Sequence, residues 1–166
     1  VSDHPIHVAL AEARRACDRE LLLLARGEVL GRHVDDPVGV DIERDLDLLA
    51  RLAQDGLVHV FLSVTTLDAE LARKLEPRAS SPSRRLQAVR TLNAAGVPCG
   101  VMVAPVIPFL TDAELESLLQ AASDHGARMA AYTLLRLPYE LKDLFKDWLE
   151  THYPLQAAHV MSRLRE

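Results

Sequence analysis

At 166 residues, 49% of them apolar and 26% charged, the chain is long enough to bury one core and has the balance of a single globular domain. Its 24 acidic side chains against 19 basic ones leave a net charge of −5, which excludes a bulk electrostatic drive toward nucleic acid, and no apolar run is long enough to span a membrane. Aromatic residues are scarce at 4%, so leucine, valine and alanine must fill the core.

Leucine and alanine at helical spacing, with charges between them, predict an amphipathic helix over 6–26. Two glycines and Asp35-Asp36-Pro37 predict a loop over 27–37, and 37–40 reads as a short strand. Leu46, Leu48, Leu49 and Leu52 predict a helix over 43–54 that Gly56 stops. Residues 57–65 (LVHVFLSVT) are β-branched and almost continuously apolar, as in a parallel strand buried on both faces. A short helix over 68–75 follows. Another over 82–95 is opened by Ser80-Ser81-Pro82 and closed by Gly96. Residues 97–107 predict a second buried strand. Thr111 followed by Glu114 predicts a capping box that opens a helix over 111–125, with Gly126 ending it. A third buried strand over 127–135 and terminal helices over 139–153 and 155–164 complete the chain.

Apolar strands alternating with amphipathic helices mean right-handed βαβ units and a parallel sheet. An open doubly wound sheet and part of a (β/α) barrel both satisfy that order. No G-x-G-x-x-G follows any strand, which weighs against dinucleotide binding. Cys17 and Cys99 lie about 80 positions apart, and neither has a Cys or His at metal-ligand spacing; they read as reduced, buried thiols. No signal-peptide pattern is present, so the cytoplasm is the expected compartment. The seven histidines show no H-x-x-E-H or H-x-x-x-H spacing, no metal ligands are predicted, and neither a G-x-S-x-G elbow nor a Walker loop is found.

Three stretches carry a family resemblance. The first is Ser63-Val64-Thr65-Thr66-Leu67-Asp68, followed by Leu75-Glu76-Pro77 and Pro82-Ser83-Arg84-Arg85-Leu86. The second is Ala95-Gly96-Val97-Pro98, then the run from Gly100 to Pro108, then Leu110-Thr111-Asp112. The third is Leu134-Leu135-Arg136-Leu137-Pro138. In order and spacing these resemble the radical S-adenosylmethionine enzymes of the group related to spore photoproduct lyase, over about three quarters of the chain.

The resemblance implies an α/β fold: a partial (β/α) barrel, an incomplete TIM-like barrel with parallel strands. It is read as a single domain over 1–166, with a divergent N-terminal region at 1–42, the best-matching barrel core at 43–138 and C-terminal helices at 139–166. It also implies two cofactors in the family, S-adenosylmethionine and a four-iron four-sulfur cluster. There, three thiolates of a Cys-x-x-x-Cys-x-x-Cys loop hold the cluster, and the reduced cluster cleaves the sulfonium to a 5′-deoxyadenosyl radical.

This chain departs from that pattern twice. Two cysteines cannot supply three ligands. In addition, Pro37-Val38-Gly39-Val40 runs directly into Asp41-Ile42-Glu43, where relatives carry a Thr-Lys pair. The chain is therefore expected to be inactive alone, the alternative being a non-catalytic remnant that serves as a binding or scaffold domain.

Barrel ligands bind at the C-terminal ends of strands. That places Ser63, Thr65 and Thr66 at the mouth, where their hydroxyls are free to bond a carboxylate or ribose, or else to satisfy the turn and cap the next helix. Ala104-Pro105 ends the following strand. A small residue before proline leaves a carbonyl exposed and fixes a bend, and the resemblance puts this stretch beside the adenine of S-adenosylmethionine. Ser63, Thr65, Thr66, Ala104 and Pro105 are thus the candidate cofactor residues. Pro108 shapes the same loop; where relatives carry Gly next, this chain has Phe109.

Glu76 and Arg85 flank a proline-containing loop near the mouth, either as substrate-binding groups or as an ion pair that closes the loop. Arg136, at the end of the third strand, is the other candidate for substrate. Catalytic residues and the substrate itself are not readable. The acidic balance gives no reason to expect nucleic acid, nor the apolar pattern a membrane. A partial barrel has two bare sheet edges, and such edges predict self-association.

Overall fold

The computed structural model describes residues 42, 44–137 and 141–164. The predicted elements at 6–26, 27–37 and 37–40, the altered stretch around Val38 and Asp41, and Cys17 lie outside the described residues.

The order is α1 (Leu46–Gln54), β1 (Val60–Ser63), α2 (Ala69–Leu75), α3 (Pro82–Ala94), β2 (Cys99–Val106), a 3-10 turn (Asp112–Glu114), α4 (Leu115–Asp124), β3 (Met129–Leu134), α5 (Leu141–His152) and α6 (Pro154–Arg163). Helices α1, α3 and α4 end in the same way. The residue after the C-cap is Gly56, Gly96 or Gly126, each at positive φ. The next N–H (Leu57, Val97, Ala127) reaches back to Leu52, Leu92 and Ala122. This is the double closure that glycine permits at a helix end, and it turns each helix directly toward the following segment. Helix α3 starts as its sequence predicts, with Ser81 accepting from the Arg84 N–H and Pro82 in the first turn.

The three strands are parallel in the order β1-β2-β3, so β2 is central. Val60 pairs with Cys99 and Ser63 with Met102 on one side; Gly100 pairs with Met129 and Val103 with Tyr132 on the other. The chain therefore has the α/β architecture expected of a partial (β/α) barrel, with an open three-stranded parallel sheet.

Side chains alternate across a strand. One face carries Val60, Leu62, Cys99, Val101 and Val103 and lies under Leu86, Val89 and Leu92 of α3, Leu118 and Ala122 of α4, and Leu46, Leu49, Ala50 and Ala53 of α1. Burial of each large apolar side chain there contributes roughly 1.5–3 kcal/mol. The opposite face carries Phe61, Ser63, Gly100, Met102, Met129 and Ala131. Of these only Gly100 is fully buried, and Phe61, Met102, Met129 and Ala131 belong to neither buried core among the described residues.

Two strand predictions are corrected here. β1 is buried at Val60 but only half-buried at Phe61 and Leu62, and Ser63 is exposed. β3, read as a buried strand, is half-buried over its first three residues and exposed over its last three, with Tyr132 and Leu134 more than half accessible. The apolar runs were read correctly as strands. They flank β2 as the outer strands among the described residues; Tyr132, which pairs with Val103 on the helix-covered face, and Leu134 two residues on lie outside the core cluster that covers β2.

A second core joins α5 and α6 to the other end of the sheet. Ile107, Leu149, Ala157, Val160 and Met161 are buried together, with Leu75, Leu110, Leu135, Leu137, Trp148 and Tyr153 packed around them. Leu75 ends α2, Ile107 and Leu110 follow β2, and Leu135 and Leu137 follow β3. The helical hairpin therefore sits over the C-terminal ends of the strands. Trp148 Nε1 donates to the Lys74 carbonyl at 3.3 Å, and the Lys74 ammonium stands 5.0 Å from the centre of the Tyr153 ring. The two helices were legible in the sequence, but their docking on the strand ends was not. Among the described residues no helix is long and apolar enough to cross a membrane.

Candidate functional site

The mouth of the sheet is built from two turns, one after β1 and one after β2. After Ser63 the chain passes through Val64, Thr65 and Thr66 to Asp68, the N-cap of α2, whose Oδ1 accepts from the Glu70 and Leu71 N–H groups at 2.7 and 3.2 Å. The Thr66 hydroxyl accepts from the Asp68 N–H at 3.0 Å, and this threonine is 1% exposed. Thr66 thus serves the turn. Thr65 crosses the sheet instead, donating its hydroxyl to the Ala104 carbonyl at 3.3 Å. That carbonyl, predicted to stand exposed, is therefore engaged. Ser63 is exposed, and its hydroxyl makes no hydrogen bond among the described residues. Its carbonyl accepts from Arg85 Nη1 at 2.7 Å.

On β2, the pairing shifts between Val103 and Val106: the strand spends three steps where β3 spends two, from Tyr132 to Leu134. The extra residue is a bulge at Ala104 and Pro105, which are joined by a cis peptide. Proline has no N–H to give the ladder, so a bulge is where a strand tolerates it, and a bulge re-aims the backbone at a strand end. Just beyond, the Ile107 N–H donates to Thr111 Oγ1 at 2.9 Å and the Thr111 N–H donates to the Ile107 carbonyl at 3.0 Å. Inside that turn Phe109 adopts φ 62°, a left-handed conformation that costs a residue with a side chain roughly 1–2 kcal/mol. Phe109 thus holds a conformation that glycine would favour. Its ring meets the His159 ring of α6 edge-on at 5.8 Å.

The predicted capping box is not formed. Thr111 points its hydroxyl back to Ile107, and Glu114 reaches away from its own helix to accept from the Leu67 N–H at 3.1 Å. Both side chains find partners outside the helix start, so α4 begins behind a 3-10 turn with no side-chain cap.

Glu76 and Arg85 do come together, with Arg85 Nη2 donating to Glu76 Oε2 at 2.7 Å. The Arg85 side chain is 15% exposed and that of Glu76 41%. One guanidinium thus ties the end of β1 to the turn after α2. Thr65, Thr66, Glu76, Ser80 and Arg85 border a cavity of about 10 Å³, the size of one water. Glu76, Arg78 and Arg85 border an open cleft of about 490 Å³. Arg136 stands apart: it is exposed, two residues past β3, and makes no hydrogen bond or ion pair among the described residues.

Cys99 is buried at the start of β2 on the helix-covered face, away from the mouth. Its Sγ lies 3.5 Å from the Val89 carbonyl and 3.9 Å from that of Gly126. Burial raises its pKa, and the charge of Arg128 offsets this only in part. A thiol held protonated is neither a nucleophile nor a ready metal ligand. The folded chain holds this proton more tightly than the unfolded chain, so stability should fall as pH rises from the ordinary thiol value of 9.0 through the raised folded value. Denaturation midpoints measured from pH 7 to pH 11 should therefore fall more steeply above pH 9 in the parent than in Cys99→Ala. Parallel curves would refute it. Among the described residues no cluster of His, Cys, Asp and Glu could hold a metal ion.

A family model described as the radical SAM superfamily matches residues 7–122. An uncharacterized protein of Mycobacterium tuberculosis is 37% identical over 130 residues, which cover 77% of this chain and 37% of that protein, and one of Mycobacterium bovis matches to the same extent. An uncharacterized protein of Methanocaldococcus jannaschii is 26% identical over 111 residues, covering 67% of this chain and 40% of its own length. The chain thus spans about two fifths of the length of these relatives. No solved structure matches it.

Proposed function

The chain belongs to the radical SAM superfamily, and from that premise we propose that it forms one wall of an S-adenosylmethionine site, with the iron-sulfur cluster held by cysteines outside these 166 residues. The observation that carries the reading is the convergence at the mouth. The free Ser63 hydroxyl, the Thr65–Ala104 bridge and the Ala104-Pro105 bulge lie side by side at the C-terminal ends of adjacent parallel strands, where barrel ligands bind. Ser63 pairs with Met102, so its side chain shares a face with Met102 rather than with the helix-covered core.

The residues present fit the two cofactors unequally. Ser63 offers a donor and acceptor for a ribose or carboxylate, and the bulge offers a small, bent backbone for a flat ring to approach. In the family the bound cofactor supplies a 5′-deoxyadenosyl radical. The cluster does not fit these residues: Cys99 is protonated, bonded to two carbonyls and on the far face of the sheet, and the sequence has one other cysteine. No step through the cluster is derived. The finer kinship with the group around spore photoproduct lyase rests on the order of the Ser63–Asp68, Gly100–Pro108 and Leu134–Pro138 stretches, and the activity we propose is reductive cleavage of S-adenosylmethionine once a cluster is supplied.

Titration of the isotope-labelled chain with S-adenosylmethionine should shift the backbone amide signals of residues 63–66 and 102–106, and Ser63→Ala should weaken that binding about tenfold, the loss of one hydrogen bond to a ligand. Shifts confined to other surfaces, or none at millimolar ligand, would favour a scaffold that has lost the cofactor.

A further inference from the structure

Glu114 has a role that neither its position before α4 nor the cofactor reading assigns. It spans 47 positions of sequence to reach the Leu67 N–H, and so joins the turn after β1 to the turn after β2. Nearer the mouth, Thr65 of the same turn after β1 bonds Ala104 in the bulge at the end of β2. Its other carboxylate oxygen, Oε1, is sealed from solvent and has no hydrogen-bond partner among the described residues.

The energetics separate stability from geometry. The bond from Leu67 to a carboxylate stabilises the fold, while a buried oxygen left without a donor costs a comparable amount. The two nearly cancel. A contact that adds little net stability still fixes a distance, and the distance it fixes is between the two loops of the candidate site. We propose that Glu114 is a positioning residue that clamps the turn after β1 to the turn after β2, so that Ser63 and Thr65 at the end of β1 and Ala104 and Pro105 in the bulge that leads into the second turn are presented to the cofactor in a fixed relation. This rests on the reading that S-adenosylmethionine binds at the mouth.

The test compares Glu114→Ala, Glu114→Gln and, as a control on an exposed helix position, Glu116→Ala. In Glu114→Ala the Leu67 amide should exchange with deuterium at least tenfold faster, with faster exchange spreading to 64–68 and 104–107. The melting temperature should stay within about 3 °C of the parent, since about 1 kcal/mol moves it by 2–4 °C at this size. Affinity for S-adenosylmethionine should fall five- to tenfold. Glu114→Gln keeps an oxygen for Leu67 and should restore both exchange protection and affinity.

Unchanged exchange at Leu67 in Glu114→Ala would overturn the clamp. So would lost protection with unchanged affinity, or a fall in melting temperature beyond about 8 °C with faster exchange throughout, which marks a merely structural residue. If the parent chain binds no S-adenosylmethionine, the cofactor reading fails and the clamp's purpose fails with it. Exchange at Leu67 then still decides separately whether the two turns are coupled.

Discussion

Replacing Arg85 with alanine is expected to destabilise the chain by about 2–3 kcal/mol, whereas replacing Glu76 with glutamine should cost less than about 1 kcal/mol. The two residues form one ion pair, so the inequality has to come from something else. Arg85 also donates to the Ser63 carbonyl at 2.7 Å, and its side chain is mostly buried, while Glu76 is 41% exposed and can turn to water when its partner is gone. Removing the guanidinium leaves a strand-end carbonyl without its donor and opens the small cavity under Thr65 and Ser80. Removing the carboxylate charge only weakens a screened pair. Lysine at position 85 cannot fork, so Arg85→Lys should recover one contact and lose the other, and fall between the two. Urea denaturation of the three variants checks this. Equal losses for Arg85→Ala and Glu76→Gln would mean that the ion pair dominates and the bond to Ser63 contributes nothing measurable.

The same residues show what a sequence can and cannot disclose. The parallel strands followed from three apolar runs, and the helix ends from Gly56, Gly96 and Gly126, because period and punctuation are local properties of the chain. The Glu76–Arg85 pair was within reach because both flank one loop. Thr65 and Ala104 were each placed at the mouth, but the bond between them joins positions 39 apart, and no local pattern encodes it. Glu114 was misread for the same reason. Thr-x-x-Glu before an apolar run is a sound capping signal, yet here a long-range partner at Leu67 competed for the carboxylate and the Ile107 N–H competed for the threonine. The exposure of β3 was not legible because a run of apolar residues does not say whether its strand lies at the centre or the edge of the helix layer that covers the sheet. The docking of α5 and α6 on the strand ends depends on Leu75, Ile107 and Leu135, residues from three separate connections that no window of sequence sees together.

Gly100, the one glycine in the described strands, should resist replacement. A Cβ there would lie 2.7 Å from the Met129 carbonyl oxygen, 2.8 Å from Phe61 Cε1 and 3.0 Å from Met129 Cβ. The Phe61 ring is a side chain and has room to rotate toward the open face. The Met129 oxygen is backbone of β3, held in register with β2 along four consecutive pairs, and can give way only if the strands separate. Gly100→Ala is therefore expected to cost about 3 kcal/mol and Gly100→Val more, within the range for overpacking against an unyielding neighbour. At Gly56 and Gly96 a Cβ would meet nothing, and the penalty there is only the left-handed backbone, about 1–2 kcal/mol. Gly100→Ala should thus melt below Gly96→Ala although its own backbone angle is ordinary. The double variant Phe61→Leu/Gly100→Ala distinguishes the two obstacles. If the ring is what resists, the second change restores most of the stability. If the β3 backbone resists, it restores little, and the amide signals of 129–134 move with those of 100–104. The second outcome is expected, because Met102 and Ala104 continue the strand beyond Gly100 toward the mouth. A β2 pushed off its neighbour at position 100 would carry the candidate site with it.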